Sequence, residues 1–395
     1  MKQMQNIHPP EFVKKIIFRL EAEGFSAFMV GGCVRDILMG RAPKDWDVAT
    51  SASPGEVQRL FEKTVPTGER HGTVTVILDG GKAEVTTFRS ESAYSDHRRP
   101  DSVTFVSDLK EDLKRRDFTI NAMAMRADGT VMDYFGGGAD LKAGIIRCVG
   151  EARERFEEDA LRMLRALRFS AELGFEIEEK TFLALKDCAA LASHLSPERV
   201  RDELSKILLT DRPDMISTAI SLGLLAKYVS PGQTDLSGLA RISKRLDARL
   251  CCLCMILLKS GQVNDAPQFL SALRFDGKTV SLVGRAAALL LGELLETKAG
   301  MKRALSKMGL APVSLAVEVS GKAETSSLLG AILASGECYS LDRLAVGGED
   351  LIALGYRGKE IGETLRFLLE HVIDHPGNNE RNILLNLLKL YHKNP

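Results

Sequence analysis

The run Gly31-Gly32-Cys33-Val34-Arg35-Asp36, followed by Asp45-Trp46-Asp47, puts a glycine turn a few positions ahead of two carboxylates. Gly31 and Gly32 have no Cβ, so a triphosphate can come close to their backbone. Two carboxylates one residue apart repel unless a cation lies between them. Mg²⁺ suits that place because it takes hard oxygen ligands and bridges one or two carboxylates to substrate phosphates. Arg35 adds a fixed charge for the phosphates. Together these residues fit metal-dependent nucleotidyl transfer. Either motif alone is commonplace, a turn or a solvated Asp-x-Asp loop, and it is their order and spacing that give them weight.

The positioning elements follow from local rules. Phe28-Met29-Val30 is an apolar run that can form a buried strand. Residues 34–39 read as a helix whose free N–H groups point at an anion over the glycines. Residues 46–49 resemble a strand, and alternation would send Asp45 and Asp47 to one face and Trp46 to the other. Glu84 becomes a third acid if its own strand lies beside that one. Segments 73–78, 84–88 and 121–125 read as strands, and 11–23, 54–61 and 109–114 as helices. Hairpin punctuation stands at Asp79-Gly80-Gly81 and Asp128-Gly129. From about residue 151 strand signals nearly vanish and helical periodicity takes over, as in Leu161, Leu164 and Leu167; the last helix is expected over 379–391. The fold class is α+β, a catalytic head with a small mixed sheet followed by a series of helices.

Two further motifs lie downstream. Arg115-Arg116-Asp117, with Asn121 four residues later, offers donors for phosphates and a carboxylate for a ribose hydroxyl, or else is a charged helix end running into a strand. Residues 158–168 read as one helix on which Asp159 and Arg162 are i,i+3 neighbours. That pair is either an ordinary intrahelical ion pair or a reader of bases. Cytosine and adenine each present an amino donor beside a ring-nitrogen acceptor, which Asp and Arg complement. Uracil and guanine present the reverse order and would leave buried polar groups unpaired.

Composition narrows the field. The 395 residues contain 53 Lys+Arg and 53 Asp+Glu, so no global field attracts a polyanion, and nucleic-acid affinity must come from local clusters such as Arg162, Arg165 and Arg168. The seven cysteines lack the paired spacing of a zinc site and read as buried thiols of a reducing compartment. Residues 1–6 contain no apolar signal stretch, and the longest apolar run, 250–258, is about half a bilayer span. A cytoplasmic location without membrane association is expected.

The ordered set Gly-Gly-x-x-Arg-Asp, Asp-x-Asp, Arg-Arg-Asp-x-x-x-Asn-Ala, Asp-Tyr-Phe-Gly-Gly and Glu-Asp-x-x-Arg-x-x-Arg-x-x-Arg-Phe, over residues 28–170, resembles the class II tRNA nucleotidyltransferases, the CCA-adding enzymes of the polymerase β-like superfamily. Ser196-Pro197-Glu198-Arg199 and Gly348-Glu349-Asp350-Leu351 are similar to the neck and tail of the short, bacillus-like bacterial members. The resemblance implies a head over 1–150, a neck over 151–210, a body over 211–300 and a tail over 301–395. It implies Asp45 and Asp47 as metal ligands with Glu84 as third acid. Gly32 and Arg35 would hold the triphosphate and Arg116 would be a further nucleotide contact. Asp159 and Arg162 would be the protein template, supported by Arg165 and Arg168, and Asp117 and Asn121 would serve the ribose and the local fold. The implied reaction is attack of a tRNA 3′-hydroxyl on the α-phosphorus of CTP or ATP by a two-metal mechanism, with tRNA along the helical neck and tail. Segment 89–100 looks like the loop used in switching from CTP to ATP, which favours complete CCA addition. A-only addition, poly(A) synthesis and a non-catalytic nucleotide or RNA binder stay open.

Overall fold

The structure, a computed structural model, describes residues 8–68, 72–91, 103–292 and 295–391. The chain divides into two compact units, Met1–Lys227 and Tyr228–Pro395.

The first unit is built on a mixed sheet. Its strands are β1 (Ala27–Val30), β2 (Asp47–Thr50), β3 (Thr64–Gly68), β4 (Thr73–Leu78) and β5 (Gly81–Thr87), with β6 (Arg89–Glu91) and β7 (Val103–Phe105) forming a separate ribbon. After β8 (Met123–Met125) and β9 (Val131–Asp133), the sheet order is β3-β4-β5-β2-β1-β8-β9. The pairings are antiparallel except β2 with β5, which run parallel and set Asp47 beside Glu84. Both expected hairpins form, β4 to β5 and β8 to β9.

Alternation along the central strand explains the two layers. Ala27 and Met29 face one core with Ile16, Ile17 and Leu20 of α1 (Glu11–Ala22), while Phe28 and Val30 face another with Leu113. On the first face lie α2 (Gly32–Leu38) and α3 (Pro54–Leu60), the latter started by a capping box between Ser53 and Glu56. On the second lies α4 (Leu109–Lys114). Each fully buried Ile or Leu contributes about 1.5–3 kcal/mol.

Helices α5 (Gly137–Ala143), α6 (Ala152–Glu158), α7 (Leu161–Leu173), α8 (Glu179–Asp187), α9 (Pro197–Leu208) and α10 (Met215–Ser221) complete the unit, with a small parallel pair β10 (Ile145–Ile146) and β11 (Glu176–Ile177). Ile216, Ala219 and Ile220 of α10 are buried and α10 packs on α7 and α9, which keeps it within the first unit.

The described elements of the second unit are helical. Leu246–Lys259 packs on Gly277–Leu290, which packs on Leu310–Ser320. A separate core gathers Val346, Leu351, Leu368, Val372 and Leu384, and Arg303 ties Lys298–Met308 to Lys359–Asp374 through Glu370 and Asp374. The closing helix is Arg381–Tyr391. All seven cysteines are free and buried. No helix among the described residues is long and apolar enough to cross a membrane. In the segment 89–100, residues 92–100 lie outside the described residues.

Candidate functional site

Strand β1 ends at Val30, and the chain turns through Gly31 at φ 75 before α2 begins. The positive φ favours glycine there, and a Cβ would lie 2.9 Å from Arg116 Nη1, so the guanidinium end of that side chain would have to shift. Gly32 differs: its Cβ would meet Arg35 Nη2 at 3.7 Å, an ordinary contact. Helix α2 spans seven residues. Arg35 is buried; its Nε and Nη2 donate to Asp36 Oδ1 (2.9 and 2.7 Å) and its Nη1 donates to Asn121 Oδ1 (2.9 Å).

Asp47 opens β2, while Asp45 sits before the strand, so alternation does not place it as expected. The loop carries Asp45 to the same cavity as Asp47, and Trp46 packs toward the head core. Burial pushes the Asp47 carboxyl up to about 6; Arg116 opposes the shift, and the charges of Glu84 and Asp45 add to it. Glu84 lies directly across from Asp47 in the parallel pair and is exposed. Among the described residues no three His, Cys, Asp or Glu side chains gather into a metal-binding group. The acids that could hold a cation are Asp45 and Asp47. A half-desolvated carboxylate with two acidic neighbours and hard oxygen donors fits a divalent ion whose remaining ligands are phosphate and water.

Segment 109–121 supplies the arginines. Asp112 is fully buried and accepts from Arg115 Nε and Nη2 (3.1 and 2.8 Å), from Arg116 Nη2 (3.3 Å) and from the Arg89 backbone N–H (3.3 Å). These partners outweigh its burial and hold its carboxyl below the usual range. Residues 121–125 do not form one strand: Thr119–Asn121 is a 3₁₀ turn and β8 starts at Met123. Asp117 favours the turn by accepting from the Phe118 backbone N–H (2.8 Å) and Asn121 Nδ2 (3.2 Å). Its other oxygen accepts from Arg165 Nε (2.8 Å). Burial works against the Asp117 charge, but Arg165 and Asn121 prevail and bring its pKa down to about 2.

The expected single helix over 158–168 is broken. Glu158 ends α6, Asp159 is extended at φ −138 and ψ 102, and α7 begins at Leu161. The cause is the Asp159 side chain, whose Oδ1 accepts from the Leu161 backbone N–H (3.0 Å), competing with helix continuation. Asp159 therefore lies before the helix that carries Arg162, and the two do not share one helix. Asp159 pairs with Arg199 Nη2 (2.7 Å), while Arg162 donates to Glu158 Oε2 (2.6 Å) and to the carbonyls of Arg115 (2.8 Å) and Arg155 (3.2 Å). Arg168 donates to Glu203 (2.6 Å) and Glu172 (2.7 Å).

One cavity of about 520 Å³ collects these groups. Gly31, Gly32, Arg35, Asp45 and Asp47 line it from the glycine turn and β2; Arg116, Asp117 and Asn121 from the middle segment; Asp159, Arg162, Arg165 and Arg168 from the start of the helical neck. Of the expected site residues only Glu84 is outside its lining. Acids at one end and hydrogen-bonding Asp and Arg at the other can hold a triphosphate and a base together.

The family described as Poly A polymerase head domain matches residues 27–147, and the one described as probable RNA and SrmB-binding site of polymerase A matches 174–236. The CCA-adding enzyme of Limosilactobacillus fermentum is 39% identical over 95% of this chain and 96% of its own length. This chain belongs to the CCA-adding enzyme family. For the CCA-adding enzyme of Lactiplantibacillus plantarum the identity is 52%, but the match spans 59% of this chain and 58% of that protein. The Bacillus stearothermophilus CCA-adding enzyme, solved in complex with CTP, is 35% identical, with TM-score 0.78 over 98% of this chain and 100% of that one.

Three residues of this CCA-adding family member belong to the site without having been expected there. Asp112 was legible, because acids three and four residues before Arg115 and Arg116 share a helix face with them. Arg199 was not, since it reaches Asp159 across 40 positions. Phe169, which lines the cavity, reads in sequence as one more apolar residue of α7.

Proposed function

We propose that this chain adds C, C and A to the 3′ end of tRNA from CTP and ATP, releasing diphosphate, with Mg²⁺ as its metal and with side chains in place of a nucleic-acid template. The observation that carries the reading is the single cavity shared by Asp45 and Asp47 with Asp159 and Arg162. Family membership supports the same reaction, and the free buried cysteines fit a cytoplasmic setting.

Asp45 and Asp47 are the groups that would hold Mg²⁺. The ion would lower the pKa of the attacking 3′-hydroxyl and neutralise charge on the leaving diphosphate. Arg35 and Arg116 balance the triphosphate and keep it beside the glycine turn, where Gly31 leaves room for the Arg116 fork. Asp159 accepts from the exocyclic amine of C or A, and Arg162 donates to the neighbouring ring nitrogen. Uracil and guanine would set acceptor against Asp159 and donor against Arg162. Arg165 and Arg168 back this pair, while Asp117 and Asn121 fix Arg165 and Arg35 and flank the ribose. Glu84, facing Asp47 across the parallel strands, adds negative charge behind the acids. In the same proposal the head is 1–150, the neck 151–210, the body 211–300 and the tail 301–395, the helical parts carrying tRNA.

The test is incubation with tRNAs ending at the discriminator base, at C and at CC, with each labelled nucleotide separately and Mg²⁺ present. CTP use on the first two and ATP use on the third is the expected result. ATP use on the third acceptor alone means A-only addition, and long adenosine tails mean poly(A) synthesis. No incorporation on any acceptor leaves a nucleotide-binding protein.

A further inference from the structure

Phe169 is buried in the wall of the cavity, and its ring stands among three guanidiniums. The Arg168 Cζ is 3.9 Å from the ring centroid; those of Arg35 and Arg165 are each 5.3 Å away. Arg35 comes from the helix after the glycine turn, and Arg165 and Arg168 come from α7. The Phe118 ring meets Phe169 edge-on at 5.7 Å and 82°, which fixes the ring plane from behind.

Each of the three cations is also held by its own acid. Arg35 is on Asp36, Arg165 on Asp117, and Arg168 on Glu203 and Glu172. These bonds hold the guanidiniums by their edges, Arg35 also through Nη1 on Asn121 and Arg168 through Nε on Glu203 and Nη1 on Glu172, and leave their faces to the ring. An aromatic face attracts the cation through its quadrupole and so adds the second restraint. Three like charges gathered around one site repel, and an apolar side chain without a π-face would separate them without attracting any of them.

We propose that Phe169 is a positioning residue for nucleoside triphosphate capture: its ring seats Arg35 on the triphosphate side and Arg165 and Arg168 behind the base-reading pair, so that the nucleotide meets cations already oriented. This rests on the function proposed above and names the device that orders its cationic wall. Preorganisation lowers the ordering cost of binding, so the effect falls on nucleotide affinity and leaves the chemical step nearly untouched.

The test compares F169L, which keeps apolar bulk without a π-face, and F169Y, which keeps the ring. For each, CTP affinity is measured by calorimetry with Mg²⁺, KM and kcat by C addition to tRNA, and folding by the thermal midpoint. F169L is expected to weaken CTP binding and raise KM about tenfold with kcat changed less than about threefold, and F169Y to restore both toward the parent. If F169L does not fold, F169M takes its place with the same expectation. An unchanged CTP affinity in a folded Leu or Met variant overturns the proposal, as does an equal loss in F169Y. A parent protein that binds CTP but transfers none of it overturns the function and leaves the affinity comparison readable by itself.

Discussion

Asp159 is paired with Arg199, 2.7 Å away in space and 40 positions on in the chain. The acid that would read the amine of a base is thus held from α9, and the arginine that would read the ring nitrogen is held separately by Glu158 and the Arg115 carbonyl. Two readers fixed from different elements keep a set spacing only while both anchors hold.

Base choice should therefore respond to both anchors. Arg162→Ala is expected to relax selection against UTP and GTP by about 100-fold or more, because the ring-nitrogen contact is lost outright. Arg199→Ala should relax it by about tenfold, since Asp159 stays but swings. Single-nucleotide incorporation with each of the four triphosphates measures both effects, and unchanged selectivity in Arg162→Ala would refute the templating role.

Asp47 tests the metal site through stability as well as activity. Its carboxyl, raised to about 6 by burial and by Glu84 and Asp45 against the pull of Arg116, favours the folded state when protonated. That contribution is present at low pH and is lost as pH rises from about 4 through 6. In EDTA at pH 7.5, Asp47→Asn should be more stable than the parent by up to about 3 kcal/mol, with the gain gone near pH 4. The same variant should show no nucleotide transfer. Adding Mg²⁺ should raise the thermal midpoint of the parent and not that of the variant.

Gly31→Ala should cost about 1–2 kcal/mol, from the positive φ and from the displaced Arg116 guanidinium. Its KM for CTP should rise, whereas Gly32→Ala, whose Cβ meets only ordinary contact, should melt within about 0.5 kcal/mol of the parent. Chemical denaturation and steady-state kinetics read the two together.

Asp117 should shape the acid limb of stability. Its folded pKa near 2 lies below the usual value of about 3.9, so its pairing with Arg165 stabilises fully above about pH 4 and fades as pH falls through 2. Asp117→Asn should lose about 2 kcal/mol at pH 7, and the gap to the parent should narrow steadily below pH 4 in urea titrations.

Much of the site was legible in the chain because its chemistry is local. A glycine turn, an Asp-x-Asp and runs of arginine at helical spacing are each fixed within a few residues, and short-range rules read them. The strand of residues 73–78 and the helix of 109–114 form as their patterns require, since burial and propensity there agree. Asp159 shows the limit: a sequence with helical spacing on both sides breaks because one carboxylate caps the next helix instead of continuing the first.

What the amino-acid order determined by itself is the inventory: which acids, arginines and glycines exist, and at what spacing along the chain. Which of them meet was decided by the tertiary fold. The parallel pairing of β2 with β5 set Glu84 beside Asp47 yet on the exposed side of its strand, and packing of α7 against α9 delivered Arg199 to Asp159. Contacts across 40 residues depend on the closing of long loops and the burial of whole faces, and no local spacing encodes either.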